Sequence, residues 1–471
     1  MSTLHELTLV QIAALLRGRR VSAVEVLQDQ LARARAVQPR INAFIRFDED
    51  TALAAARALD ADAARGYFRG PLHGVPMAHK DMYYREGLVS TCGSAIRRDT
   101  PATTTATALK RLDAAGAVDF GTLNMAEFAY GPTGHNAHFG AACNPWNTAH
   151  ITGGSSSGSG AAVAARASFA ALGSDTGGSV RLPASLCGIT GLKVTTGRIS
   201  RAGAMPLSFS MDTIGPLART AEDCALLLQA LAGSDPADAT ASTHPVPDVI
   251  ARLKQSPAGL RIGIPDKFFH DDLDPQVAGA MDEARRVFAR LGCKVVQVSI
   301  PDMQGAEAAA THVIAAEAAS LHGNWLRDRP DDYSAQVRAR LLRGLTVPAA
   351  RYIDALRFRG ELLQRFLSEV FDSVDVLSVP SLAIPTPTIA ETDVGGGAKM
   401  DRILAQLTRL HRPFNYLGLP SVALPCAHSR EGLPIAMQLA GRPFAEDVVL
   451  HAAHAYQSVT DWHARKPALE S

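Results

Sequence analysis

Lysine is scarce in this chain: only eight of its 47 basic residues are lysine, and arginine carries the rest. Nor is there a surplus of either charge, since 47 basic and 46 acidic residues leave a formal net charge of +1. Without a strong field, little is available to attract nucleic acid or an anionic membrane, and neither is expected as a partner. Long apolar runs are missing too. None approaches the ~18 residues that a membrane-spanning helix needs. Even the Ala-rich run from Gly160 to Gly173 is interrupted by Arg166 and Ser168. The N-terminal Met1-Ser2-Thr3-Leu4-His5-Glu6 has no basic region followed by an apolar stretch, so no signal peptide is expected. Six cysteines (Cys92, Cys143, Cys187, Cys224, Cys293, Cys426) form no CxxC pair. They read as reduced thiols rather than a disulfide frame or a zinc site. These absences point to a cytoplasmic protein.

What is present is a balanced globular composition. Of 471 residues, 47% are hydrophobic and 20% charged, which excludes disordered, collagen-like and coiled-coil chains. Ser22 and Glu25 form a capping-box pattern before a helix. Further helices are predicted over 48–64, 103–115, 274–291, 304–326 and 348–371, and strands over 74–78, 117–121, 260–264, 294–300 and 374–379. A buried helix entering a strand is expected over 161–172. Such alternation indicates an α/β fold with a mixed sheet covered by helices on both faces. No internal repeat or composition break divides the chain. One large domain over 1–471 is expected, with a Gly/Ser-rich core at about 70–215.

Several familiar motifs match incompletely. Gly158-Ser159-Gly160 lacks the third glycine of a dinucleotide fingerprint and follows no clear strand. His135 and His138 sit among glycines without a ligand set, so no metal is expected. Gly154-Ser155-Ser156-Ser157-Gly158 fits the GxSxG elbow with Ser156 as nucleophile, but 144–150 reads as a polar loop where that elbow needs a strand.

A Ser–Ser–Lys set fits better. Lys80 closes an apolar strand, Ser155 opens the first Gly/Ser loop 75 residues later, and Ser179 ends the second loop 24 residues beyond that. With Gly74-Val75-Pro76-Met77-Ala78-His79-Lys80-Asp81, Gly153–Gly160 and Leu172–Ala184, the chain resembles the amidase signature family. Asn415–Pro420 and Gly432–Gln438 resemble that family's C-terminal part. The resemblance implies a Ser–cisSer–Lys triad of Ser179 as nucleophile, Ser155 as bridge and Lys80 as base. It also implies a cis Gly154–Ser155 peptide and an oxyanion hole from the N–H groups of Thr176, Gly177, Gly178 and Ser179. Ser157 stands where the family often has glycine. Met125–Gly131 resembles the family's pocket loop, which makes Tyr130 and Gly131 substrate-binding candidates. Phe209, with Phe139, Tyr83 and Tyr416, is a candidate wall. Asp175 and Arg181 read as carriers of the loop rather than reacting groups.

The chemistry is coherent in its own right. An amide is a poor electrophile, so its hydrolysis calls for an activated hydroxyl, a proton relay and donors for the oxyanion. A lysine base must be neutral. Its unperturbed pKa of about 10.4 is too high, and burial can lower it by about 3 units. No metal or organic cofactor is needed. The expected reaction is amide hydrolysis through an acyl-enzyme, on a small to medium neutral, apolar or aryl amide. The alternatives are the glutaminase subunit of a tRNA-dependent amidotransferase, a carbamate or ester hydrolase, and, remotely, an inactive binding protein. Self-association into a homodimer stays open.

Overall fold

Ser22 and Glu25 close the capping box their spacing predicts, and the helix Ala23–Ile41 follows. In the computed structural model residues 3–469 are described; Met1 and Ser2, which begin the segment without a signal pattern, and Glu470 and Ser471 lie outside them. Eleven strands occur among the described residues. They are β1 (Phe44–Phe47), β2 (Pro76–Lys80), β3 (Val118–Leu123), β4 (Ala170–Asp175), β5 (Thr190–Lys193), β6 (Thr213–Ala218), β7 (Arg261–Pro265), β8 (Lys294–Val298), β9 (Val376–Pro380), β10 (Ser421–His428) and β11 (Pro434–Gly441).

Eight of them form one sheet in the order β4-β6-β5-β10-β11-β9-β7-β8, and the other three form a small sheet, β1-β3-β2. The large sheet is mixed: β4 to β9 pair antiparallel across its first part, whereas β7 runs parallel to both β9 and β8. Helices lie on both sides, so the strands β4, β5, β6, β9 and β11 are buried throughout. One continuous apolar core runs from Leu9 to Leu469 and joins both sheets.

Two sequence expectations shift. The helix predicted over 103–115 begins only at Thr107, because the residues before it pair in extended form: Glu86 bridges Ala102 and Val89 bridges Pro101. Strands β5, β6, β10 and β11 carry glycine, proline or threonine and lack the run or alternation that marks a strand. The helix Ser157–Ala164 is built of small residues and wholly buried. At Gly158 a Cβ would fall 2.3 Å from the Ala43 carbonyl oxygen, so only glycine permits this approach to the small sheet.

Candidate active site

Lys80 is the last residue of β2 and Asp175 the last of β4, so the reacting groups gather where the two sheets meet. Side chains knit this junction. Leu172 N–H donates to His79 Nδ1 at 3.2 Å, and Ala78 N–H donates to Ser168 Oγ at 3.2 Å. Lys80 Nζ donates to Ser155 Oγ at 2.7 Å and to Ser174 Oγ at 2.8 Å, and all three residues are buried. Burial pulls the Lys80 ammonium down from its ordinary 10.5 to about 7, opposed by the charges of Asp212 and then Asp175.

The Gly154–Ser155 peptide is cis, as the resemblance implies. Ser156 N–H donates to the Ser179 carbonyl at 3.3 Å, which holds the turn carrying Ser179 against the loop carrying Ser155. Ser179 itself is only half-buried. The hydroxyl of Ser156 faces away from this chemistry: it donates to the Ser174 carbonyl at 3.4 Å and accepts from Ser174 N–H at 3.3 Å. No strand precedes it, since 144–153 holds turns and isolated bridges.

Asp175 and Arg181 hold the turn that carries Ser179, with Asp175 accepting from the Gly178 and Val180 N–H groups. The fully buried pair is joined through Arg181 Nε to Asp175 Oδ2 at 3.0 Å. Burial alone would raise the Asp175 carboxyl, but the Arg181 guanidinium holds it well below the usual carboxylate range. The far end of the chain completes the clamp. Arg181 donates to Gln438 Oε1 at 2.7 Å and Asn415 Oδ1 at 2.6 Å, and Asn415 Nδ2 donates to Asp175 Oδ1 at 2.8 Å. One member of the expected oxyanion hole is spent in this clamp. Gly178 N–H donates to Asp175 Oδ1 at 2.7 Å, so it faces away from substrate, and the donors left are Thr176, Gly177 and Ser179. Gly178 has φ +123°, and a Cβ there would strike His411 Cβ at 2.8 Å and the ring atom Cγ at 2.9 Å.

The aromatic pocket divides. Tyr130 lines a cleft of about 360 Å³ with Ile314, Arg340 and Arg412, among others. A Cβ on Gly177 would sit 3.3 Å from Arg412 Cγ and 3.7 Å from Ile314 Cδ1, which puts this cleft beside the nucleophile turn. Phe209 lines a different cavity of about 220 Å³, with Ser174 and Asp212, and its side is turned to solvent at 52% exposure. Gly131 lines neither; its carbonyl packs so close to Gly154 that a Cβ there would approach it to 2.5 Å, and the Gly154 N–H donates to the neighbouring Pro132 carbonyl at 2.7 Å. Tyr83 and Tyr416 are core residues that donate to the carbonyls of Gly173 and Ala355.

The cleft combines an apolar lining with five charged side chains. Arg412 donates to Glu307 Oε1 at 2.5 Å and Arg343 to Asp401 Oδ2 at 2.7 Å. Arg340 lies 3.6 Å above the Tyr130 ring and donates to its carbonyl at 2.8 Å. Among the described residues no carboxylate lies within ion-pair distance of it. Three arginines against Glu307 and Asp401 leave the lining at 3 − 2 = +1.

The Amidase family profile matches residues 25–450. This chain belongs to the amidase signature family. It is a hydrolase of C–N bonds. It is 41% identical to a glutamyl-tRNA(Gln) amidotransferase subunit of Methylococcus capsulatus, over 99% of both chains. Among solved structures it is similar to a chain from a vestigial protein complex tied to the evolutionary origins of an s-triazine catabolic enzyme. That match has a TM-score of 0.90 and 38% identity, over 96% of this chain and 98% of the other. A 6-aminohexanoate cyclic dimer hydrolase matches with a TM-score of 0.88 and 29% identity, over 99% of both.

Sequence reasoning on this amidase signature chain missed Ser174, Asp212, Arg340 and Arg412. Ser174 lies inside the Leu172–Ala184 stretch, where a polar residue in a buried strand was the available signal, and Asp212 lies outside every quoted motif. The arginines carried no signal, because arginine is also the common surface cation here. No helix among the described residues is long and apolar enough to cross a membrane.

Proposed function

We propose that this chain hydrolyses the carboxamide of a small, carboxylate-bearing amide, with Ser179 as nucleophile, Ser155 as proton bridge and Lys80 as base. The observation that carries the substrate class is the unpaired Arg340 in the cleft beside Gly177. A half-buried guanidinium whose nearest carboxylate in the cleft, Asp401, is already paired with Arg343 favours a ligand that supplies a counter-ion, and its planar fork suits a carboxylate. This replaces the expected neutral, apolar or aryl amide.

Neutral Lys80 accepts a proton from Ser155 Oγ as Ser155 takes the Ser179 proton, and Ser179 Oγ attacks the amide carbon. The N–H groups of Thr176, Gly177 and Ser179 receive the developing oxyanion. When the C–N bond breaks, the proton stored on Lys80 returns through Ser155 to the leaving nitrogen. Water then attacks the acyl-enzyme by the same relay, releasing the acid and restoring Ser179.

Glutamine is the foremost candidate, because it carries both groups and because the curated relatives are named as amidotransferase subunits. On that reading the chain works with partner subunits and a charged tRNA, which revises the expectation of no nucleic acid. A second reading, a stand-alone hydrolase of a small catabolic amide, is favoured by the likeness to the s-triazine-related chain. The test is ammonia release by the purified chain from glutamine, succinamate and butyramide. Turnover of the two carboxylates well above butyramide supports the proposed class; preference for butyramide rejects it. Glutamine turnover that rises steeply with partner subunits separates the first reading from the second.

A further inference from the structure

Asp212 stands outside every motif, yet it grips Thr176 and lines one cavity with Ser174, the residue that Lys80 bonds. Its buried carboxylate accepts the Thr176 hydroxyl at 2.5 Å through Oδ1, and the N–H groups of Leu207 at 2.8 Å and Ser208 at 3.0 Å through Oδ2. Burial raises this carboxyl above its ordinary value, and the three donors and the Arg201 guanidinium, itself paired with Asp238 at 3.9 Å, work against the rise. A carboxyl that meets three donors and no acceptor is held as the anion at neutral pH, because a proton on it would face another donor. Thr176 supplies an oxyanion donor through its N–H, and its side chain is what Asp212 grips. The same anion is the strongest charged neighbour acting on Lys80.

We propose that Asp212 is a positioning residue for the hydrolysis: it fixes the oxyanion turn through the Thr176 hydroxyl, and its anion stands near Lys80, lining one cavity with the Ser174 that Lys80 bonds. The inference rests on the Lys80–Ser155–Ser179 relay. Of the other groups around Lys80, the Asp175 anion acts in the same direction, but it is paired with Arg181 at 3.0 Å. The Cys92 thiol is pushed by burial up to about 12 and is uncharged at neutral pH, and burial lowers His79 to about 3, which leaves its ring neutral. Asp81, next in the chain, is occupied by Thr91 N–H at 3.0 Å. Ser155 and Ser174 contribute hydroxyls without charge.

The experiment is kcat/KM against pH for wild type, Asp212→Asn, Thr176→Val and Thr176→Ser. Removing the anion disfavours protonated lysine, so Asp212→Asn should move the ascending limb to lower pH by about one unit or more, although its maximum falls. A merely structural role would open the site to water and move the limb upward, toward ordinary lysine. Thr176→Val keeps the charge of Asp212 and loses the grip. Its kcat should fall at least about tenfold with KM and limb little changed, and Thr176→Ser should recover most of that loss. An Asp212→Asn limb that stays or rises, or a Thr176→Val enzyme within twofold of wild type, would overturn the inference. If Asp212→Asn does not fold, the threonine pair still decides the positioning half. A wild-type profile with no ascending limb would overturn the relay and the inference together.

Discussion

Ser174 Oγ accepts a hydrogen bond from Lys80 Nζ at 2.8 Å, opposite the 2.7 Å bond to Ser155. A neutral amine has two N–H groups and one lone pair. With one N–H held by Ser174, the lone pair is left to face Ser155, which is the arrangement a base needs. Ser174→Ala should therefore lower kcat by about tenfold to a hundredfold while KM changes little. Steady-state kinetics on any turned-over amide check this, and an unchanged kcat would show that Ser174 orients nothing.

The depressed Lys80 sets the pH profile. Because the neutral amine is the active form, kcat/KM should rise with pH through about 7 and then level off. Lys80→Arg should lose nearly all activity, since a guanidinium stays protonated and cannot accept. A Lys80→Arg enzyme within about tenfold of wild type, with the same limb, would remove lysine from the proton path.

The two serines of the rival readings give opposite outcomes. Ser179→Ala should abolish turnover and labelling by a fluorophosphonate mapped by mass spectrometry. Ser156→Ala removes only contacts to the Ser174 backbone and should keep activity within about tenfold of wild type. Dead Ser156→Ala with active Ser179→Ala would restore the nucleophile elbow.

Substrate charge is read by Arg340. Arg340→Met should raise KM for a carboxylate-bearing amide by about tenfold to a hundredfold, the loss of a charge-assisted bond worth about 1.5–3 kcal/mol. KM for butyramide should hold or fall, because the methionine fills the same stem space without a charge. Equal effects on both amides would leave Arg340 a structural prop for Tyr130.

The parts legible in the sequence are those whose chemistry dictates composition. Glycine and serine crowd 153–160 and 173–179 because backbone has to approach backbone there, and Lys80 stands out in a chain that otherwise uses arginine. Helices with caps and periodicity, such as Ala23–Ile41, were equally readable. What composition cannot carry is direction. Nothing in Thr176-Gly177-Gly178-Ser179 tells that the Gly178 N–H turns to Asp175 while its neighbours stay free. Arg340 and Arg412 look like surface cations until the fold places them beside Gly177. Phe209 and Tyr130 look alike as pocket aromatics, and only tertiary packing assigns them to separate cavities.

The clamp on the nucleophile turn also has a consequence for biosynthesis. Lys80, both serines and the turn itself emerge from the ribosome well before Asn415 and Gln438, the side chains whose amides hydrogen-bond the Asp175–Arg181 pair and hold it in place. A partly made chain thus carries the proposed reacting groups before the side chains that order their turn exist. On the proposed relay, hydrolysis has to wait for the helix Arg412–Tyr416 and for β11.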